Sequence, residues 1–272
     1  MRRAILFDFR KFTVAKLQKT GINVITLPIF PHPPMKNSSS RIPGFSLIEL
    51  MVVMMIIGII AAFAVPAAST ILRGSLMNQA AQIITDQLTT ARQVALAKNH
   101  QVEVRFIRFA DPETPNDVGS DGQPGNFHAI WVFEDTGTFS PTVLDANGNP
   151  APIMAPVDKP QLLPQAIILS MNQTLSTLVM GQSGAPITPQ QPLATDPQTY
   201  PRSTNGAGTP YTYVPFRYRF DGSTNLLPQT SLWYVTLQNI NDQIQNNLPP
   251  ANFVTILVDP VGGTLRFFRP GV

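Results

Sequence analysis

Cysteine is absent from this chain, and charged side chains are scarce. None of the 272 residues is a cysteine, so a disulfide bridge, a thiol nucleophile and a cysteine-ligated metal are all excluded. Asp, Glu, Lys and Arg make up 13% of the residues, about half of the usual share. Together with the 27 prolines, this composition indicates an exported, loop-rich β domain rather than a helical cytosolic enzyme.

Histidines are few, and the common catalytic and nucleotide-binding motifs are missing. Beyond the first 44 residues only His100 and His128 occur, and no Gly-x-Ser-x-Gly run accompanies them. A Ser-His-Asp triad is therefore not indicated, and we interpret each histidine as a strand-edge or helix-end residue. Neither a Walker loop nor Gly-x-Gly-x-x-Gly is present. We expect no enzymatic activity and no cofactor.

One long apolar stretch dominates the sequence. After Glu49 no charged residue occurs until Arg73, and residues 45–68 are apolar apart from Glu49 and one serine. As a helix this window would be roughly 36 Å long, enough to cross a hydrocarbon core of about 30 Å. Lys36 and Arg41 precede it, so the positive-inside rule places the N-terminal side in the cytoplasm and the remainder outside.

A carboxylate inside this stretch is part of a specific motif. Glu49 costs free energy within an apolar helix and therefore calls for a partner. Residues 44–49 read Gly-Phe-Ser-Leu-Ile-Glu, which resembles the processing site of type IV prepilins and of the pseudopilins of type II secretion. The resemblance extends over residues 43–68. Within it, Gly58 and Pro66 stand where the family often has a glycine and a helix-bending proline.

The resemblance implies how the chain is processed and assembled. In that family a prepilin peptidase cuts after the glycine, here Gly44, and methylates the new N-terminal residue, here Phe45. The glutamate, here Glu49, then pairs with the amine of a neighbouring subunit. The implied partners are prepilin peptidase, other pilin or pseudopilin subunits and the inner membrane. The implied location is a single-pass inner-membrane precursor with its C-terminal domain periplasmic or extracellular, and a filament after assembly.

The expected cleaved leader, residues 1–44, carries most of the positive charge. It has a net charge of +7, whereas the remaining residues have −4, so a basic-protein argument for nucleic-acid binding fails. Met35 is a candidate true start, because the ten-residue leader beginning there would match the short family leaders. The alternative is a genuine long leader.

Two other interpretations of the apolar stretch stay open. One is an ordinary signal anchor on an exported β protein that does not polymerise. The other is a cleaved secretory signal, for which residues 62–64, Ala-Phe-Ala, fit an A-x-A cleavage pattern. The length of the stretch and Glu49 both disfavour this second interpretation.

The rest of the sequence predicts an α+β, pilin-like fold. Residues 69–100 continue the helix as an amphipathic segment, because apolar or small residues recur every three or four positions from Leu72 to Ala95. Residues 101–272 form an antiparallel β domain on which the helix packs. Strands are predicted at 102–109, 127–133, 165–170, 174–180, 211–220, 232–237, 253–258 and 264–268, and long loops at 111–126, 135–164 and 181–210. The alternation of apolar and polar residues in 102–109 predicts a half-buried strand.

Four acidic residues in the predicted loop 111–126 are the candidate metal site. Oxygen ligands on a turn-rich loop suit Ca²⁺. Their spacing does not match the EF-hand pattern, so we favour a solvated turn without a metal ion. The four residues are Asp111, Glu113, Asp117 and Asp121.

Four arginines towards the C-terminus introduce a second class of function. FimT-like minor pilins capture DNA with C-terminal basic residues, and these arginines could line one side of the sheet. We favour ordinary outward-facing strand positions and do not expect nucleic acid as a partner. The four residues are Arg217, Arg219, Arg266 and Arg269.

The sequence therefore predicts a non-enzymatic, pilin-like structural subunit, and a minor one because of its long loops. Residues 220–223 and the final hairpin resemble the H-type pseudopilin and FimT-like domains, and the Verru_Chthon cassette pilin-like proteins are a further candidate subtype. The alternatives are a DNA-capturing minor pilin and a signal-anchored β protein that does not polymerise.

Overall fold

The fold is described from a computed structural model of the chain. It describes residues 44–114, 117–145, 148–182, 184–202, 206–228, 232–242, 244 and 246–269, without the side chains of residues 64–71. Of the expected leader, only Gly44 lies inside these ranges. The chain divides into two compact units, Met1–Val53 and Met54–Val272. A single helix, α1 (Leu47–Lys98), begins in the first unit and ends in the second.

Within the second unit, α1 buries one narrow stripe of small and aliphatic side chains. These side chains recur at the three- and four-residue spacing that keeps them on one face of a helix. Leu72, where the apolar pattern was predicted to begin, is exposed. The buried stripe therefore starts one turn later than the sequence predicts. It comprises Met77, Ala80, Ala81, Ile84, Leu88, Ala91 and Ala95.

The sheet on which this stripe packs is antiparallel throughout and has nine strands, which confirms the predicted α+β class. Its main path runs β10-β1-β2-β5-β11-β12-β13, and β3 and β4 pair with β2 off this path. Four further two-residue strands form two small ribbons, β6 with β7 and β8 with β9. The bounds are β1 Val102–Phe109, β2 Asn126–Leu144, β3 Pro150–Pro156, β4 Gln161–Leu162, β5 Ile167–Leu169, β6 Gly181–Gln182, β7 Ala185–Pro186, β8 Thr199–Tyr200, β9 Thr209–Pro210, β10 Thr212–Tyr218, β11 Trp233–Asn239, β12 Val254–Val258 and β13 Leu265–Phe268.

Both faces of the central strands are covered. On one face, side chains such as Val104, Phe106 and Phe216 join the stripe of α1 in a single apolar core. On the other face, Trp131, Tyr213 and their neighbours form a second, aromatic core with Tyr200 from β8. The sheet is therefore the middle layer between the helix and the segments that follow β5.

Strand β1 differs from its prediction as a half-buried strand, because all eight of its residues are buried. The side chain of Arg105 lies on the face that carries the aromatic core, and Glu103 lies beside it. Arg105 forms ion pairs with Glu103 (2.6 Å) and Asp196 (3.0 Å), and its guanidinium lies over the rings of Phe133 and Tyr213. Burial disfavours the charged guanidinium, but the carboxylates of Glu103 and Asp196 more than compensate and raise the pKa of Arg105. An alternation of apolar and polar residues shows that the two faces of a strand differ chemically, but it does not show that the polar face is exposed to solvent. In β1 both faces are buried.

Two segments are built differently from their predictions. The predicted loop 135–164 contains the second half of β2, all of β3 and β4, because β2 runs on to Leu144 and folds back as a hairpin. The pairing of β2 with β3 shifts register twice, and these bulges hide the strand period from a sequence reading. Residues 174–180 were predicted as a strand, but Thr177–Met180 form a short helix, α2.

The predicted loop 181–210 is attached to the sheet at defined points. Asp196 is the buried partner of Arg105. Gln190 exchanges two backbone hydrogen bonds with Tyr213 of β10, at 2.7 and 2.9 Å. Arg202, at the far end of the segment, binds Asp111 at 2.8 Å. These contacts hold the segment as the third layer of the domain.

The turn that follows β10 and the turn between β12 and β13 meet near the end of α1. The Nε of Arg92 donates to the carbonyls of Gly222 (3.4 Å) and Gly262 (3.2 Å). The hydroxyl of Tyr218 donates to the carbonyl of Gly263 (3.4 Å). Gly263 has a φ of 63°, and a Cβ on it would lie 2.3 Å from the Gly222 carbonyl oxygen. Only glycine fits there, because a side chain would be both strained and obstructed.

The packing of α1 can be tested with one substitution at two positions of the same helix. Leu88 is fully buried, whereas Leu96 is 45% exposed. Leu88→Ala should lower the free energy of unfolding by about 2–5 kcal/mol, because it leaves a cavity in the core. Leu96→Ala should cost roughly 1 kcal/mol or less. Urea unfolding of the full chain in detergent measures both, and equal losses would contradict this packing.

Candidate processing and assembly site

The peptide bond between Gly44 and Phe45 lies just before the start of α1. The first helical hydrogen bond runs from the N–H of Leu50 to the carbonyl of Ser46 (3.1 Å), so the backbone of residues 44–46 is not helical. Gly44 is exposed, and a Cβ on it would meet no atom within 4 Å in the described structure. Within the described residues, nothing requires a glycine at this position. The absence of a side chain lets another molecule approach the backbone closely here.

Glu49 lies in the first turn of α1 and is exposed. A carboxylate there interacts favourably with the positive end of the helix dipole. No ion pair joins it to any other residue in the described part of the chain. Within the described residues, its charge is thus available for a cation.

Apart from Glu49, the surface of α1 from its start to residue 63 is apolar on every side. All the large apolar side chains of residues 45–63 are exposed, from Phe45 at 80% to Val53 at 45%. A helix that is apolar around its whole circumference is typical of a buried or membrane-embedded helix. An exposed apolar surface of this size marks a protein–protein or membrane interaction site, and the described residues do not cover it.

In the part of the chain that the structure describes, no helix combines the length and the apolar character needed to cross a membrane. The membrane span predicted from the sequence covers residues 45–68. The structure does not describe the side chains of its last five residues, 64–68.

A comparison with protein-family models decides the nature of this segment. Residues 40–65 match the model of the prokaryotic N-terminal methylation motif. The chain carries a type IV prepilin signal. The match covers 26 of the 272 residues, and it contains Gly44, Phe45, Glu49 and Gly58. No curated protein and no solved structure matches the chain.

The roles within the prepilin signal stay predictions: cleavage at Gly44 and Phe45, methylation of Phe45 and pairing through Glu49. The helical assignment continues through Gly58 and Pro66. The bend predicted at these two residues also stays a prediction, and the side chain of Pro66 lies outside the described part.

The acidic candidates for a metal site have protein partners instead, which corrects their interpretation as a solvated turn. Asp111 and Asp117 are buried. Arg202 binds Asp111 at 2.8 Å and Glu113 at 2.6 Å. Arg108 holds the carboxylate of Asp121 with two hydrogen bonds of 2.7 and 2.8 Å. The sequence could not reveal Arg202 as a partner, because it lies 91 residues after Asp111.

The two histidines have different environments. His100 is exposed just beyond the end of α1, as predicted for a helix-end residue. His128 was expected at a strand edge, but it is buried on the central strand β2. Its Nε2 lies 2.8 Å from the Oδ2 of Asp117, and its ring packs against Phe109. This histidine is part of the anchor that fastens the acidic turn to the sheet.

The four candidate DNA-binding arginines do not form one free surface. Arg217 is ion-paired with Glu103 at 2.8 Å, and Arg269 donates to the side chain of Asn78 on α1. Arg219 and Arg266 are exposed and have no ion pair within the described residues. Arg217 and Arg269 are therefore engaged in contacts within the folded chain.

Hydrogen bonds lower the pKa of two of the carboxylates in the acidic turn. Burial by itself would raise the pKa of Asp117, but hydrogen bonds from His128, the Asp111 N–H and Asn126 outweigh burial and lower it. The pKa of Asp121 is lowered chiefly by the hydrogen bonds from Arg108. Both carboxylates are thus more stable as anions in the folded chain than in water.

The shift of Asp117 predicts a dependence of stability on pH. Because its folded pKa is depressed, its contribution is complete above the unfolded value of about 3.9 and is lost as the pH falls through the folded value. Asp117→Asn should lower the free energy of unfolding at pH 6 by about 1–3 kcal/mol, and this deficit should shrink towards pH 3. Urea titrations between pH 3 and 6 measure it.

The matched control is Asp86→Asn, at an exposed position of α1. It should change stability by less than about 0.5 kcal/mol. A deficit of Asp117→Asn that stays constant from pH 6 to pH 3 would contradict the assignment.

Proposed function

We propose that this chain is a pilin-like structural subunit, cut between Gly44 and Phe45, methylated at Phe45 and assembled through α1 into a pilus or a secretion pseudopilus. The observation that carries the proposal is the match of residues 40–65 to the N-terminal methylation motif. An exposed, non-helical bond at Gly44 and the apolar helix behind it both support it. This motif points to a structural subunit rather than to an enzyme.

Cleavage would create a cation suited to Glu49. In the precursor the nitrogen of Phe45 belongs to an amide and carries no charge. Hydrolysis of its bond to Gly44 releases an amine with a pKa of about 7.7–8.0, which is mostly protonated at neutral pH. A carboxylate surrounded by apolar side chains gains most from such a partner. Pairing of the amine with Glu49 of an adjacent subunit would therefore favour the assembled state and fix its register.

The apolar helix surface is the proposed assembly and membrane surface. Before cleavage, the charges of the leader would keep the N-terminal side in the cytoplasm. After cleavage, exposed side chains such as Phe45, Met54 and Ile60 would pack against other helices in the filament core. The β domain would face outward, and we propose a minor subunit because its long connecting segments offer surface for specific contacts.

Cleavage can be tested by enlarging Gly44. Gly44→Leu should slow processing at least about tenfold, equivalent to about 1.4 kcal/mol in the barrier, because a side chain would separate the backbone from the peptidase. Intact-mass measurement on the membrane fraction should show the precursor, heavier by its whole leader. Gly58→Leu is the matched control, since a Cβ at Gly58 also meets no atom within 4 Å, and it should be processed normally.

N-terminal sequencing of the unmodified chain separates the alternatives. A start at methylated Phe45 supports the proposal. A start after Ala64 would indicate a secretory signal, and an intact leader in cells that contain the peptidase would indicate a plain anchor.

Assembly can be tested at Glu49. Glu49→Val should leave processing intact, but it should weaken subunit association by roughly 100-fold or more, because loss of one partner of a buried ion pair costs about 3–5 kcal/mol. Glu49→Asp keeps the charge and should retain part of the assembly. The measurement is the fraction of processed subunit recovered in sheared filaments. Normal recovery of Glu49→Val would remove the role proposed for this carboxylate.

A further inference from the structure

Strand β13 is the terminal strand of the sheet path, and one of its sides is open. It pairs with β12 from Val258↔Leu265 to Thr255↔Phe268. On its other side, the described residues supply no backbone hydrogen bond to residues 265–268. Unpaired N–H and C=O groups at a sheet edge form a template for another strand.

The opposite edge of the path, β10, is closed by the chain itself. Gln190 exchanges two backbone hydrogen bonds with Tyr213. Pro215 has no N–H to offer. At Arg217, the N–H donates to the Asn225 side chain and the carbonyl accepts from the Asn225 N–H. The edge at β10 is thus satisfied or blocked along its length.

The outlying strand β3 is protected by composition. Three of its seven residues are prolines: Pro150, Pro152 and Pro156. Proline on an edge strand prevents pairing with a further strand, because it removes donors from the ladder. The sequence Leu-Arg-Phe-Phe of β13 contains no such residue.

The side chains of β13 define the chemistry of what would pair with it. Phe267 and Phe268 are 54% and 62% exposed, and Phe268 lies 6.1 Å from the ring of Phe253. Arg266 is exposed and has no acidic partner within the described residues. Because side chains alternate along a strand, Arg266 and Phe268 share one face. An apolar residue and a carboxylate on an added strand would complement this face.

We propose that β13 is the docking edge for an extended strand of a different pilin-like subunit, one that places an acidic residue opposite Arg266 and apolar residues beside Phe267 and Phe268. This inference rests on the proposed function and names the partner surface of the β domain. Since β13 has four residues, it offers few backbone hydrogen bonds, and the aromatic side chains supply most of the contact area.

A second copy of this chain fits the edge poorly. A two-fold pairing of two β13 strands that keeps the sheet faces continuous brings both Arg266 side chains to the same face. In the register centred on Arg266, the two like charges lie opposite one another and destabilise the strand pair. In every register, a second β13 offers Arg266 no carboxylate, because its sequence is Leu-Arg-Phe-Phe. The charge on β13 therefore favours a different chain that carries an acidic residue.

Photo-crosslinking in the producing cells tests the inference on the full chain. A benzoylphenylalanine in place of Phe268 should give an adduct with a second protein that has its own N-terminal methylation motif, and peptide mapping should locate the crosslink in an extended, acid-containing segment. Phe139 of β2, which is 62% exposed, is the matched control position and should not give this adduct.

Two edge variants of the crosslinking chain sharpen the result. Arg266→Glu, a surface change, should reduce the adduct about fivefold, since an exposed ion pair contributes up to about 1 kcal/mol, which is about fivefold in a binding constant. Phe267→Pro should abolish the adduct, because it removes a backbone donor. No adduct, an adduct of the chain with itself, a nuclease-sensitive adduct, or one unaffected by Arg266→Glu would each overturn the inference.

The same samples distinguish this inference from the proposed function. The N-terminus of the crosslinking chain is determined by mass spectrometry. A methylated Phe45 start without the expected adduct refutes the docking edge and leaves the proposed function standing. An intact leader refutes the proposed function and, with it, the identification of the partner.

Discussion

The narrow stripe that α1 buries is the contact on which the domain depends. The stripe is rich in alanine, and its side chains share one apolar core with side chains of β1, β2, β10, β11 and β12. Leu88 and Ile84 fill the remaining space at its centre. The aromatic core covers the other face of the same strands and contains charged groups as well as rings. There Arg105 forms ion pairs with the carboxylates of Glu103 and Asp196.

The surface of α1 differs between its first and second parts. The first part suits the proposed assembly with other subunits, and the second packs on the sheet of the same chain. Apart from Glu49, the helix is apolar all round up to residue 63, which suits partners on every side. From Met77 it buries one face only, which suits a single sheet. The change occurs within one continuous helix, Leu47–Lys98.

The sequence alone predicted the prepilin signal, the long helix and the final hairpin, because each depends on residues close together in the chain. The buried ion pairs could not be predicted. Arg105 and Asp196 are 91 residues apart, and Glu103 and Arg217 are 114 apart, so nothing local distinguishes them from surface charges. The hairpin of β2 and β3 was missed for a different reason. Its prolines, asparagines and glycines have low strand propensity, and its strands pair through tertiary contact and bulges.

The two hydrogen bonds that Arg92 donates have a consequence for folding during synthesis. Its two carbonyl partners, Gly222 and Gly262, follow it by 130 and 170 residues. The ribosome synthesises α1 first and these two glycines near the end. The apolar stripe of α1 therefore stays exposed during most of translation. Long-range contacts of this kind slow folding, and exposed apolar surface makes nascent chains prone to aggregation. The apolar stripe of α1 is therefore covered only after the last strands have been synthesised.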